Sequence, residues 1–342
     1  MEKKIRQMVD PKGFAVTAEQ MDKVIQRISS QNLSEDLNQL PLTNKSGWRV
    51  AIAPHDDYTY VGDLYSRALK GVTAHTLILF GVAHTSNAKK LNLANQLIFD
   101  SYPKWQAPYG DVAVSCLRED IINGLPEAVY QVHDEMHGLE HSVEAVIPFI
   151  QHYNRNIEIV SILFPFMSYE KMEELTQPLA EAIAKAVRKK NWIWGKDYAF
   201  VISTDAVHYG DEGWGGSNFA LYGVDQEGYR LAVEHESKII NECLKGDIEP
   251  EKIKAFTKHI LQEKDYREYK WTWCGRYSVP CGLLTSFYLQ KILETKPLSG
   301  EVLGYGTSID GRKHIEVEDL GMGTTAPANS HHWVGYVAIG YE

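Results

Sequence analysis

Four short apolar runs constrain this chain more than anything else in it. They are WRVAIAP (48–54), TLILFGVA (76–83), IEIVSILFP (157–165) and YAFVIST (198–204). Each is rich in β-branched or aromatic residues and shows almost no polar alternation. A strand with one wet face alternates; a strand covered on both faces does not. Helical spacing fills the segments between them. Thr17 and Gln20 stand at capping-box positions ahead of Met21, Val24, Ile25 and Ile28. VGDLYSRALKGV (61–72) has helical spacing, as do residues 225–245 and 280–294. A long helix is expected between the third and fourth runs, kinked at Pro178. VGYVAIGY (334–341) reads as a closing strand. The pattern predicts an α/β fold with a mixed, largely parallel central sheet flanked by helices. No repeat, low-complexity tract or linker divides the chain, so a single domain over 1–342 is expected.

The composition excludes some partners. The chain has 342 residues, and 35 Lys and Arg face 45 Asp and Glu, a formal charge of −10. That balance argues against nucleic acid and anionic membrane surfaces. The opening MEKKIRQMVDPKGF lacks the apolar core of a signal peptide, and no apolar run approaches the roughly 20 residues that span a bilayer. A cytoplasmic location is expected. Cys116, Cys243, Cys274 and Cys281 form no CxxC pair, so a disulfide framework is not expected. Buried, inert thiols are expected at Cys116, Cys243 and Cys281.

Three of the apolar runs end in reactive side chains. The first is followed by His55, Asp56 and Asp57, the second by His84, and the last by Asp205, His208 and Tyr209. Ligands of open α/β sheets bind beyond the carboxyl ends of the strands. If the strands are parallel, all three sets meet at one edge.

Two further clusters carry chemistry. HDEMHGLEHSVEAVIPF (133–149) holds His137, Glu140, His141 and Glu144, the last three at the opening of an apolar-periodic helix. His137 and His141, like Glu140 and Glu144, are four apart and would share a face. The glutamate of the zinc-protease helix is missing after His137, which excludes that motif. A charged helix N-terminus competes with a site role for Glu135 and Glu140, and less so for His141 and Glu144. In WTWCGRYSVPCGLL (271–284), Cys274 lies beside Arg276 and ahead of an apolar helix, where a thiol can act as nucleophile or soft metal ligand.

Taken in order, PHDDYTYVG, GVAH, EHSVE, STDAVHYG and CGR resemble the motifs of the Memo-like family, also called AmmeMemoRadiSam system protein B. The matches run from about residue 50 to the final strand. That family is similar in fold to the class III extradiol dioxygenases that use non-haem iron. The resemblance implies metal ligands at His55, His84 and Cys274, and a surrounding cleft of His141, Glu144, Asp205 and His208. It also implies work beside a radical-SAM protein and a third small protein. The chain departs from the family pattern at Asp56-Asp57, where Ala-Gly is common, at Thr85, where a second histidine is common, and at Val146.

Two imidazoles and a thiolate leave coordination positions open, which suits a catalytic or binding metal rather than a structural one. The divalent metal implied is iron, with copper or zinc also fitting the donors. The first expectation is an iron-dependent, dioxygenase-like oxidoreductase with an unidentified small-molecule or peptide substrate. A zinc-assisted hydrolase and a non-catalytic peptide-binding module are the alternatives. In the first two, His208 or His141 would serve as general acid or base, with Asp205 orienting His208. Tyr58, Tyr60 and Tyr209 are candidate hydroxyl donors, and HYGDEGWGGSNFALYG (208–223) a candidate lid.

Overall fold

A computed structural model of the chain describes residues 4–32, 47–212, 219–310, 314–325 and 328–342. Its strands are β1 (Val50–Ala53), β2 (Thr76–Val82), β3 (Leu97–Phe99), β4 (Lys104–Trp105), β5 (Val112–Val114), β6 (Tyr130–Val132), β7 (Glu158–Phe164), β8 (Tyr198–Ser203), β9 (His208–Gly210), β10 (Gly246–Asp247), β11 (Ser299–Thr307) and β12 (His332–Tyr341). The principal helices are α1 (Ala18–Asn32), α2 (Tyr58–Leu69), α3 (Thr85–Lys90), α4 (Leu117–Ile122), α5 (Asp134–Leu139), α6 (Ile147–Tyr153), α7 (Tyr169–Lys190), α8 (Gln226–Ile239), α9 (Pro250–Ile260) and α10 (Ser278–Ile292).

The sheet runs β10-β11-β12-β1-β8-β2-β7-β3-β6. Its centre, β1-β8-β2-β7, is parallel throughout. These are the four apolar runs of the sequence. Every residue of β1, β2 and β8 is buried, as sheet faces covered by helices require. Antiparallel strands complete the sheet on either side: β12 pairs with β1, β11 with β12, and β3 with β7. The short strands and the glycine-interrupted β11 carry no apolar run, which hides them from a sequence reading. Two helical groups cover the sheet. α10 lies against α7, β2, β7 and β8; α2 lies against α1, α6, β1, β11 and β12. No helix among the described residues is long and apolar enough to cross a membrane.

Most predicted elements are present, with some corrections. The capping box at α1 forms: the Gln20 amide donates to Thr17 Oγ1 at 3.2 Å, and the Thr17 amide donates to Gln20 Oε1 at 3.1 Å. α7 runs through Pro178 as one helix of 22 residues. The helix expected to open over Glu140–Glu144 does not start there. Glu140 is extended (φ −110°, ψ 128°) and ends α5, and α6 begins only at Ile147. Glu140 and Glu144 therefore share no helical face. Cys116 is exposed rather than buried, with the Lys190 ammonium 3.4 Å from its sulfur; Cys243 and Cys281 are buried as expected.

The chain after β8 is held from behind by a buried carboxylate. Glu236, on α8, accepts the Val207 amide at 2.8 Å and the Tyr305 hydroxyl at 2.6 Å. Gly335 on β12 must be glycine for this approach, because a Cβ there would sit 2.1 Å from Glu236 Oε2. Burial pushes the Glu236 carboxyl up to about 7, against the pull of these donors. The folded state thus binds the proton more tightly than the unfolded one. This group's contribution to stability is full below the ordinary value of 4.5 and falls as the pH rises to about 7. Replacing Glu236 by Gln is expected to flatten the pH dependence of urea-unfolding stability across that window, leaving the rest of the profile unchanged.

Candidate metal centre

Parallel pairing decides where the site lies. Ala53 is in register with Ser203, and Phe80 with Ile202, so β1, β8 and β2 end side by side. His55, His84 and Asp205 follow those ends directly. Cys274 comes from a loop far along the chain. Its amide donates to the Ala206 carbonyl at 3.1 Å, while the Gly275 amide and the Trp273 indole both donate to Thr204 Oγ1 at 3.0 Å. A Cβ at position 275 would lie 2.2 Å from that oxygen, so only glycine lets the loop close on β8.

The result is a compact donor group. Cys274 Sγ lies 3.4 Å from His55 Nε2 and 3.6 Å from His84 Nε2. One ligand atom from each of the three residues falls within 4.8 Å of the others. Two metal–ligand bonds of about 2.0–2.3 Å meeting near the tetrahedral angle span about 3.5 Å, so these donors fit a single ion. Asp205, His208 and Cys274 form an overlapping group, and so do His84, Glu140 and His141.

Hydrogen bonds set the orientation of both imidazoles and the tautomer of His55. Ser203 Oγ donates to the Ser142 carbonyl at 2.5 Å, so it must accept from His55 Nδ1, 2.9 Å away. His84 Nδ1 faces Glu140 Oε1 at 2.7 Å, and the other Glu140 oxygen accepts the His84 amide at 2.9 Å. His55 therefore carries its proton on Nδ1 and turns its Nε2 lone pair toward Cys274, while His84 donates from Nδ1 to Glu140 and presents Nε2 to the same sulfur. A carboxylate or hydroxyl behind a ligating histidine fixes its orientation and raises its basicity.

The charges follow from these contacts. Burial, reinforced by His84, His141 and His208, holds the His55 imidazole well below the usual histidine range and keeps it neutral. Burial also pulls on His84, but Glu140 and the Cys274 sulfur overcome it and raise the imidazole well above that range. Burial pushes Glu140 up, yet His84 draws it down to about 2. The Cys274 thiol is raised by burial, against the pull of His84. Asp205 is raised well above the carboxylate range by burial and by Asp56.

The remaining predicted residues divide into two groups. Asp205, His208 and His141 lie around the donors. Asp205 accepts the His55 amide at 2.9 Å and lies 3.4 Å from His55 Nε2, closer than its 3.9 Å to His208 Nε2. His141 is a third exposed, with its ring 4.9 Å from that of His84 and its Nδ1 3.7 Å from Asp10. Glu144 is not in the cleft. Its carboxylate is 3% exposed, pairs with the Arg6 guanidinium and accepts the amides of Val9 at 3.0 Å and Asp10 at 3.2 Å. It anchors the N-terminal segment instead of facing the donors. Tyr58 and Tyr209 are also not hydroxyl donors to the cleft: they donate to the carbonyls of Ala145 and Gly223. Of the candidate lid, residues 213–218 lie outside the described residues.

Ser203, Thr204 and Asp10 also belong to the surroundings of the donors, and Glu140, which a helix-end role would equally explain, is a partner of His84. Ser203 and Glu140 stand inside the STD and EHSVE motifs, where a signal existed. Asp10 stands in an irregular segment and carries none.

A model of the Memo-like protein family matches residues 17–317. The chain belongs to the Memo-like family. It is 25% identical over 298 residues to a MEMO1 family protein of Pyrococcus horikoshii, covering 84% of this chain and 89% of that one. It is 26% identical over 322 residues to a MEMO1 family protein of Thermococcus kodakarensis, covering 89% and 93%. A MEMO1 family protein of Aquifex aeolicus is 29% identical over 165 residues, 47% of this chain and 54% of that one. Among Memo-like proteins, then, this chain places a His/His/Cys donor set at the ends of parallel strands.

Two substitutions probe the build of the centre. Gly275→Ala is expected to cost about 1–3 kcal/mol in urea unfolding, as forced overpacking does. Glu140→Gln is expected to weaken metal affinity about 10–100-fold in competition with a chromophoric chelator. Far-UV circular dichroism should be unchanged for the latter.

Proposed function

We propose that this protein is a metal-dependent oxidoreductase of dioxygenase-like type, acting through one iron(II) held by His55, His84 and Cys274. The observation that carries the reading is the donor set itself: two Nε2 atoms, on rings each fixed by a bond at Nδ1, face one sulfur at 3.4 and 3.6 Å. Three protein ligands leave positions open for substrate, as catalytic metals require and structural zinc does not. Iron bound there would supply one-electron chemistry toward dioxygen. The similarity in fold to class III extradiol dioxygenases belongs to the same reading.

The chain's own residues supply the rest. Glu140 and Ser203 hold the ligand rings. Asp205, fixed by the His55 amide, is the carboxylate nearest the donors and orients the His55 side. His141, with 34% of its side chain exposed, is the accessible imidazole and the proton carrier of this proposal. Burial, with His84, His332 and His141 nearby, drops His208 to about 3, so it stays neutral and takes part as a hydrogen-bonding group. Residues 1–342 are read as one Memo-like unit, because the central sheet draws on strands from Val50 to Tyr341.

Anaerobic loading with iron(II), followed by elemental analysis, tests the reading. One iron per chain is expected, falling well below that in Cys274→Ser and His55→Ala, with oxygen uptake on adding an oxidisable aromatic substrate. Failure to retain iron would reject the proposal. Retention of zinc alone, with turnover of ester or phosphoester substrates lost in His55→Ala, would replace it with metal-assisted hydrolysis.

A further inference from the structure

A cavity of about 400 Å³ opens beside the segment that carries Cys274. Phe219 and Leu221 line one side of it, and Tyr269, Trp271 and Thr272 the other. Small-molecule sites typically enclose about 300–1,000 Å³ and have mostly apolar and aromatic walls. The walls here are fixed in place. The Phe219 amide donates to the Gly210 carbonyl at 2.9 Å, and Gln262 Nε2 donates to the Tyr269 carbonyl at 3.1 Å. The buried Trp271 ring stacks on His235, with 4.4 Å between centroids and 3° between planes. The Phe219 and Tyr269 rings meet edge to face at 6.0 Å. Leu221, 66% exposed, is the most exposed large apolar side chain among the described residues. No acidic residue lines the cavity among the described residues, and Lys270 turns its ammonium to the Lys258 carbonyl at 3.3 Å. A cation placed there would find no counter-ion, whereas an uncharged ring would leave water for aromatic and aliphatic contact.

Two of these walls reach the donor group. Thr272 stands two residues before Cys274 and is bonded to His208 in both directions. The His208 amide donates to the Thr272 carbonyl at 3.0 Å, and Thr272 Oγ1 donates to the His208 carbonyl. Tyr269 lies against the buried Arg276 guanidinium, 3.8 Å from the ring centroid. Arg276 in turn donates to Thr85 Oγ1 at 3.0 Å, on the residue after His84. Burial raises the Tyr269 phenol, and Arg276, Cys274, His84 and Thr85 are the next groups to act on it. Tyr269 thus extends from the cavity to the rim of the donors.

We infer that this cavity is a side chamber of the metal centre and seats an uncharged aromatic group of its substrate. The inference rests on the proposed function for the centre and names the substrate class that centre admits. Phe219, Leu221 and Trp271 are specificity residues in this arrangement, and the donors carry the chemistry.

Catechol and 4-phenylcatechol share one head group and differ by a single uncharged ring, so the pair tests the chamber directly. Binding at pH 7 is followed by ligand-observed NMR on metal-free full-length protein and by the charge-transfer absorption of the iron-loaded form. 4-Phenylcatechol is expected to bind at least about tenfold more tightly than catechol, as removal of the added ring from water requires. Phe219→Ala and Leu221→Asp should each shrink that ratio while leaving the affinity of catechol unchanged, which a general loss of structure would not do. Equal binding of the two probes, binding of neither, or a ratio intact in both variants overturns the inference. A phenyl preference that leaves the charge-transfer band unmoved also overturns it, because the ring would then sit apart from the metal. Failure to retain iron, with the preference intact in metal-free protein, overturns only the iron reading. Iron binding without the preference overturns only this one.

Discussion

Everything about this site depends on the in-register parallel pairing of β1, β8 and β2. Backbone hydrogen bonds between these strands fix the relative height of their carboxyl ends, and His55, Asp205 and His84 are the residues that follow. A slip of one residue would turn every side chain to the other face of the sheet. All three strands are buried on both faces, so polarity alone does not choose the register; the close fit of each side chain against the covering helices does. The donor geometry therefore comes from the same contacts that hold the core.

Two distant segments complete what the sheet begins. The Cys274 loop is drawn in by Thr204, one residue from Asp205, and the approach is close enough to demand Gly275. The N-terminal segment is drawn in by Arg6, which is 1% exposed, lies over the Trp105 ring and pairs with Glu144. Removing one partner of such a buried pair typically costs about 3–5 kcal/mol, since the other is left charged and alone. Glu144 thus shapes the cleft by holding Asp10 beside it, without facing the donors itself. Glu236 does comparable work behind the loop that carries Asp205 and His208.

Much of this was legible beforehand, for local reasons. The central strands announced themselves because two-sided burial demands unbroken apolar runs. His55, His84, Asp205 and His208 were legible because each directly follows such a run. The edge strands were not, since pairing of β9, β10 and β11 depends on partners rather than on their own composition. The stretch around Glu140 misled because a spacing of four suggests a helical face, whereas the chain becomes extended at Glu140 and sends its carboxylate to His84. Tyr58 and Tyr209 misled for the opposite reason: they fall in motif positions, yet backbone carbonyls claim their hydroxyls.

The amino-acid sequence by itself determined the layered α/β plan and the histidine, cysteine and carboxylate types that gather at one edge, because burial and strand pairing act on local patterns. Only the tertiary structure decided which of them meet. It brought Cys274 to within 3.4 Å of His55 across 219 positions, gave Glu140 to His84 and Glu144 to Arg6, and set Asp56 against Tyr336. The same acidic residue type became a partner for an imidazole, an anchor for the N-terminal segment or an acceptor for a tyrosine hydroxyl. Which of these it became depended on the donor that packing placed opposite it, and no spacing in the chain encodes that.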